Sequence, residues 1–219
     1  MGLRYRRAGY LPAGADADAQ RRFHDRRLSP RLTEAAAGQR QVFFVDAAHF
    51  VRGAFLACVW CLVRLFVPTG SGRQRYSVLG ALNAVTHRLT RVTTVGSVNR
   101  ETVVELLTRL RRDHPSGRLT VVLDNARYFR NRVVFGVARR LRIHLLFLPP
   151  YSPNLNLIER VWKFVKKKAL QGRYQSDFAE FQAAIDRILD GLDGEYAVEM
   201  TSLLTWNFQM FEDTPILTD

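Results

Sequence analysis

The chain has 219 residues, enough for one sizeable core with an appended arm rather than for several large domains. Its 33 Lys and Arg against 20 Asp and Glu leave a formal charge of +13, which favours a polyanionic partner, nucleic acid first among them. No stretch reaches the roughly 18 uninterrupted apolar residues of a membrane span: the longest, residues 54–67, is cut by Arg64, and the basic start is followed by Pro, Gly and Asp rather than by a signal-like apolar run, so a cytoplasmic protein is expected.

Residues 1–40 read as a basic arm and a polar, helix-prone connector, punctuated by Pro12, Gly14 and Pro30 and carrying Arg21, Arg22, Arg26 and Arg27. This region is expected to contribute little to a core. From Gln41 the character changes. Residues 42–45 (VFFV) form a short continuous apolar run ending at Asp46, as in a strand buried on both faces. Residues 56–67 are apolar and strand-like, and the lone Cys58-x-x-Cys61 within them reads as two core thiols, because no second pair completes a zinc site. Residues 76–86 and 89–95 are rich in β-branched residues and predict an antiparallel hairpin.

Residues 99–113 carry Val103, Leu106, Leu107 and Leu110 at helical spacing, with Asn99 as cap and His114-Pro115 as stop. Residues 119–123 form a second buried strand ending at Asp124, residues 129–141 a helix, and residues 143–148 a third strand stopped by Pro149-Pro150. Residues 157–170 predict an amphipathic helix with Ile158, Val161, Trp162 and Val165 inward, and residues 178–192 a last helix. The sum is an α/β fold: a mixed sheet with an antiparallel start and a parallel end, flanked by helices.

Asp46 and Asp124 share an unusual setting, each directly after a buried apolar run. At the carboxyl ends of neighbouring strands the two carboxylates come close together, and close like charges raise a pKa or recruit a cation. Each alone also reads as an ordinary turn or cap residue. Glu159, in the opening turn of the helix after the third strand, adds a third acid, although a favourable charge at a helix start would explain it too. Three such carboxylates offer hard cations the oxygen ligands that Mg²⁺ requires. Two ions about 4 Å apart would serve phosphodiester chemistry, one activating the attacking water or 3′-hydroxyl and the other stabilising the leaving oxygen.

Three segments carry a resemblance: residues 42–49 (VFFVDAAH), 121–128 (VVLDNARY) and 148–168 (LPPYSPNLNLIERVWKFVKKK). They resemble the catalytic motifs of mariner-superfamily DDE transposases, in the bacterial insertion-sequence branch, over approximately residues 41–170. The third segment is the most specific, a Pro-Tyr-Ser-Pro turn leading into Asn-x-x-Glu. The 34 residues between Asp124 and Glu159 match that superfamily's spacing. The resemblance implies an RNase H-like fold and Asp46, Asp124 and Glu159 as ligands of two Mg²⁺ or Mn²⁺ ions. It also implies cut-and-paste DNA transposition, with terminal inverted repeats as substrate and a TA dinucleotide as target.

Leu157 departs from the proline of many relatives, and the helix is expected to start without it. The helix-turn-helix domains usual before such a catalytic domain are absent, so the partners expected are DNA, a second copy of the chain and a separately encoded helix-turn-helix polypeptide. Such a protein would associate with the nucleoid when acting. The organisation expected is an arm at 1–40, a catalytic domain at 41–175 and a helical extension at 176–219.

Around the acids, Asn125 reads as orienting Asp124 or touching the scissile phosphate, or as a plain turn residue. His49 reads as reaching the phosphate, or as an ordinary histidine. Arg160, Lys163, Lys166, Lys167 and Lys168 share the helix of Glu159 and are expected to track the DNA backbone, unless they form a solvated face. Trp162 is expected in the core. Two other readings stand beside the transposase: a catalytically silent DNA-binding or subunit-binding remnant, and a generic RNase H-like nuclease or resolvase, which would cut without transferring strands.

Overall fold

The computed structural model describes residues 14–53, 62–63, 66, 74–173 and 175–211. The strand-like run at 56–67, with Cys58 and Cys61, lies outside the described residues except for Leu62, Val63 and Phe66, which are exposed. Five strands form one sheet in the order β3-β2-β1-β4-β5. They are β1 (Arg40–Val51), β2 (Arg75–Asn83), β3 (Leu89–Thr94), β4 (Arg118–Leu123) and β5 (Ile143–Phe147). β1 to β3 pair antiparallel, whereas β1, β4 and β5 pair parallel. The expected mixed sheet is therefore present, its antiparallel half first in sequence.

Strand alternation sorts the side chains into two cores. Val42, Phe44, Ala48, Phe50 and Val122 face one side, where α5 (Ile158–Val165), α6 (Phe178–Asp190) and α7 (Ala197–Leu203) cover them. Phe43, Val45, Val121 and Leu123 face the other, under α3 (Arg100–Asp113) and α4 (Arg132–Arg140). α3 begins as its sequence predicts: the Asn99 side chain accepts from the Thr102 amide at 3.0 Å in a reciprocal cap. α4 begins later than its periodicity suggests, because the Asn131 side chain caps the Val133 amide at 2.9 Å and leaves Phe129 buried in the preceding loop.

Two expectations change. β1 does not stop at Asp46: β4 leaves it after the Val45–Leu123 pair, but β2 carries the ladder on from Asp46–Gly80 to Val51–Arg75. The connector does enter the core, since α1 (Ala17–Phe23), a π-helical turn at His24–Leu28 and α2 (Ser29–Ala36) bury Gln20, Leu28 and Leu32. Within the expected helical extension, residues 197–203 form a second helix beyond the one placed at 178–192, α7, which seats Met200 in the core. The helix of Glu159 does run to Leu170, its end being a π-helical turn at Lys166–Leu170, and it starts directly after a fully buried Leu157 without proline.

Gly80 lies opposite Asp46 and has no side chain for a physical reason. A Cβ there would stand 2.7 Å from Trp162 Cη2 and 3.0 Å from the Ile158 and Leu89 side chains. The bare backbone thus lets α5 press its indole against the sheet beside Asp46. Gly80→Ala is expected to overpack this contact and cost about 1–3 kcal/mol in urea unfolding. An unchanged midpoint would show that α5 shifts without cost.

Candidate active site

Asp46, Asp124 and Glu159 line one cleft of about 370 Å³ at the carboxyl end of the parallel strands. The sequence brings them together through parity and topology. Even-numbered positions of β1 and β4 face α5, so both aspartates project toward the helix whose first turn carries Glu159. The loop of residues 148–153, with Asn156, forms the opposite wall. Among the described residues, no three acidic, imidazole or thiol side chains converge closely enough to make a ready cation shell. The carboxylates share a cleft without meeting.

Their electrostatics reflect that crowding. Burial, reinforced by the charge of Glu159 and then of Asp124, pushes the Asp46 carboxyl up to about 7, although the Ala47 amide and Trp162 favour its anion. The Trp162 indole donates to Asp46 Oδ2 at 3.0 Å. Burial also raises Glu159, and the ammonium groups of Lys163 and Lys166 oppose that rise while Asp124 adds to it. Asp124 Oδ1 accepts from the Ala126 amide at 3.0 Å, which fixes the turn that presents it.

The chemistry of the donor set fits a hard divalent cation, for the cleft supplies carboxylate oxygens and no sulfur. One further observation supports the fit. Asn156 is buried and its amide nitrogen donates to the Val45 carbonyl at 3.2 Å, but its Oδ1 has no partner among the described residues. An orphaned buried acceptor beside three carboxylates suits a hydrated cation, whose waters have hydrogens to donate.

Two residues of the neighbourhood escaped the sequence. Tyr151 lines the cleft, is 65% exposed and holds a left-handed backbone at φ 53°, an uncommon conformation for a bulky residue. Burial and the charges of Asp124 and Asp46 push the Tyr128 phenol upward, so it stays protonated near the acids. The Pro-Tyr-Ser-Pro string marks the first as a turn, but nothing in the sequence signals its strain.

The secondary residues separate. Asn125 lines the cleft but does not hold Asp124: its amide nitrogen donates to the Leu148 carbonyl at 2.8 Å and its Oδ1 accepts from Arg130. His49, at an odd position of β1, lies on the sheet face opposite Asp46, and its Nδ1 is 2.8 Å from Ser77 Oγ. Since that hydroxyl donates its one hydrogen to the Gly96 carbonyl, His49 donates from Nδ1. It does not reach the cleft.

The five cations of the glutamate's helix also divide. Arg160 gives its guanidinium to the carbonyls of Leu203, Thr205 and Asn207 at 2.9, 2.7 and 2.7 Å, so it ties down the C-terminal segment. Lys168 is drawn to Glu199 at 3.6 Å and over the rings of Phe164 and Tyr196. Lys163, Lys166 and Lys167 remain exposed, the first two close enough to act on Glu159.

A profile of the family described as DDE superfamily endonuclease matches residues 63–182, a span with Asp124 and Glu159 but without Asp46. No curated protein sequence matches the chain. Among solved structures, the Mos1 transposase paired-end complex with left transposon end aligns with a TM-score of 0.63 at 13% identity, covering 95% of this chain and 69% of that one. The mariner Mos1 paired-end complex with Mg aligns with a TM-score of 0.59 at 13% identity over 94% and 68% of the two chains. The Mos1 mariner paired-end complex with Mn gives 0.57 at 13%, over 91% and 68%. At such identity the likeness speaks for the fold, the RNase H-like arrangement expected from the sequence.

Proposed function

Because the chain belongs to the DDE superfamily endonuclease family, we propose that it is the catalytic domain of a mariner-type transposase, cutting DNA at transposon ends and joining the released 3′-hydroxyl to target DNA. The observation that carries the reading is that Asp46, Asp124 and Glu159, from three separate elements, line one cleft. The similar Mos1 structures are paired-end complexes with a transposon end, Mg or Mn, and the same classes of partner are inferred here.

Asp46, Asp124 and Glu159 would hold two divalent cations. When bound, such ions activate the attacking oxygen and stabilise the leaving one. The chain's own part is positional. Trp162 fixes one oxygen of Asp46, the Ala126 amide fixes one of Asp124, and Asn156 offers Oδ1 to a hydrogen donor in the cleft. Tyr151 stands exposed at the rim, where an aromatic ring can rest against sugar or base. Lys163 and Lys166 supply positive charge beside Glu159, and with Lys167 they can follow phosphates entering the cleft. Terminal inverted repeats as substrate, a TA target, a second copy of the chain and a helix-turn-helix region for sequence recognition complete the reading.

The test uses supercoiled plasmid with a labelled duplex bearing a free 3′-hydroxyl, in Mn²⁺ or Mg²⁺. Nicking together with covalent transfer of the label supports the transposase. Nicking without transfer leaves a generic nuclease or resolvase, and neither, with no Mn²⁺ uptake by calorimetry, leaves a silent remnant.

A further inference from the structure

The opposite end of the same strands carries a different constellation. Arg40 pairs in register with Arg118, and the Leu119–Ile143 pair sets Arg142 beside Arg118. Arg40 and Arg118 therefore open β1 and β4 side by side, with Arg142 in the turn just before β5, the strands standing about 4.8 Å apart. Like charges side by side across neighbouring strands repel. Arg40 is compensated by Glu34 at 2.6 Å and bonded to Thr120 Oγ1 at 2.7 Å. The guanidinium groups of Arg118 and Arg142 are exposed and make no hydrogen bond or close ion pair with any described residue, although the charge of Arg118 acts on Glu34, and the guanidinium groups of Arg139 and Arg140 in the last turn of α4 are likewise exposed and unbonded.

The backbone beneath them is braced. Arg111 donates to the carbonyls of Leu141 at 2.8 Å, Arg142 at 3.0 Å and His114 at 2.9 Å, stapling the turn before β4 to the turn before β5. Between those turns lies a groove of about 530 Å³ lined by Arg111, Ser116, Arg140 and Arg142. Arginines near the ends of α3 and α4 complement the helix dipoles, which accounts for Arg139 and Arg140 singly. That effect does not reach Arg118, which opens β4, whereas Arg142 lies in the turn just past the cap of α4.

We propose that this arginine shelf is a second DNA-binding surface, taking the phosphodiester backbone of a duplex segment other than the one in the acidic cleft. Guanidinium groups match phosphate oxygens in paired hydrogen bonds, and a braced edge loses little freedom on binding. Arg40 and Asp46 lie six residues apart on β1, as do Arg118 at the start of β4 and Asp124 just past its end, which separates shelf and acids by about 20 Å along the strands. That is a separation between two contacts rather than within one. The surface stands whether or not the acids bind metal.

Binding of a mixed-sequence 30-base-pair duplex is measured by fluorescence anisotropy in EDTA across a NaCl series, so that the cleft's metal chemistry plays no part. Replacing Arg118, Arg139, Arg140 and Arg142 by Gln is expected to weaken binding at least tenfold near 0.1 M salt and to flatten the salt slope by about 2 to 3. An unchanged slope and affinity overturn the proposal. So does loss of binding to a labelled Glu-rich peptide with DNA binding intact, which would assign the shelf to an acidic protein segment. If the variant does not melt cooperatively, phenylglyoxal modification of the wild-type protein decides: the duplex is expected to protect these four arginines, and equal modification with and without DNA rejects the shelf.

Discussion

Asp124→Asn is expected to cut the rate of plasmid nicking by at least about a hundredfold, the loss that even an outer partner of a metal ligand can produce. The substitution keeps size and shape. Asn can still accept the Ala126 amide that Asp124 Oδ1 accepts at 3.0 Å, so the turn after β4 is preserved. What disappears is one of the three anionic oxygen donors in the cleft. Binding to duplex DNA in EDTA should keep its affinity and salt slope, because the arginines and lysines are untouched. Initial nicking rates, beside melting curves and anisotropy on the same samples, separate the outcomes. A variant that nicks at the parent's rate would remove Asp124 from the active site.

Asp46→Asn should make the metal-free protein melt higher at pH 8, an outcome opposite to the usual loss on mutating a buried residue. The Asp46 carboxyl sits at about 7 in the folded chain against an ordinary 3.8. Between those values the folded state binds more protons than the unfolded one, so stability falls as pH rises through that window and stays low above it. A difference of this size corresponds to a few kcal/mol, and a chain of this length gains about 2–4 °C per kcal/mol. A rise of roughly 5 °C or more at pH 8 is expected, shrinking to nothing as the pH falls below 4. The Trp162 indole can donate to the Asn oxygen as it does to Asp46 Oδ2. Added Mn²⁺ should reverse the order, stabilising only the chain that keeps its carboxylate. Equal melting at pH 8 without metal would show that Asp46 is not strained by its neighbours.

Most of the fold was legible because its elements announce themselves locally. The hairpin of β2 and β3, the Asn99 cap of α3 and the buried runs of β4 and β5 each rest on periodicity or turn chemistry within a short window. The acids were legible for the same reason, as charges directly after apolar runs. What escaped depends on partners distant in sequence. Whether β1 ends at Asp46 is decided by β2, some 30 residues on, and what Arg160 bonds within the chain is decided by carbonyls of residues 203–207. His49 was misplaced by counting distance along the chain: three positions from Asp46 on a strand means the opposite face. The helical connector looked too polar for a core, yet Leu28 and Leu32 suffice to anchor it.

At the point where β4 leaves β1, the sheet opens like a fork, and its two prongs are cross-braced. The Leu148 amide bonds the Leu123 carbonyl at 2.9 Å, Asn125 holds the Leu148 carbonyl, and Asn156 holds that of Val45. Such struts make the strand side of the fork stiff. The helix of Glu159 is tied in as well: the Glu159 amide donates to the Asn156 carbonyl at 3.2 Å, and one turn on the Trp162 indole holds Asp46 at 3.0 Å. The braces therefore reach both sides of the cleft, and any tightening of the three carboxylates around a guest falls to their own side-chain torsions.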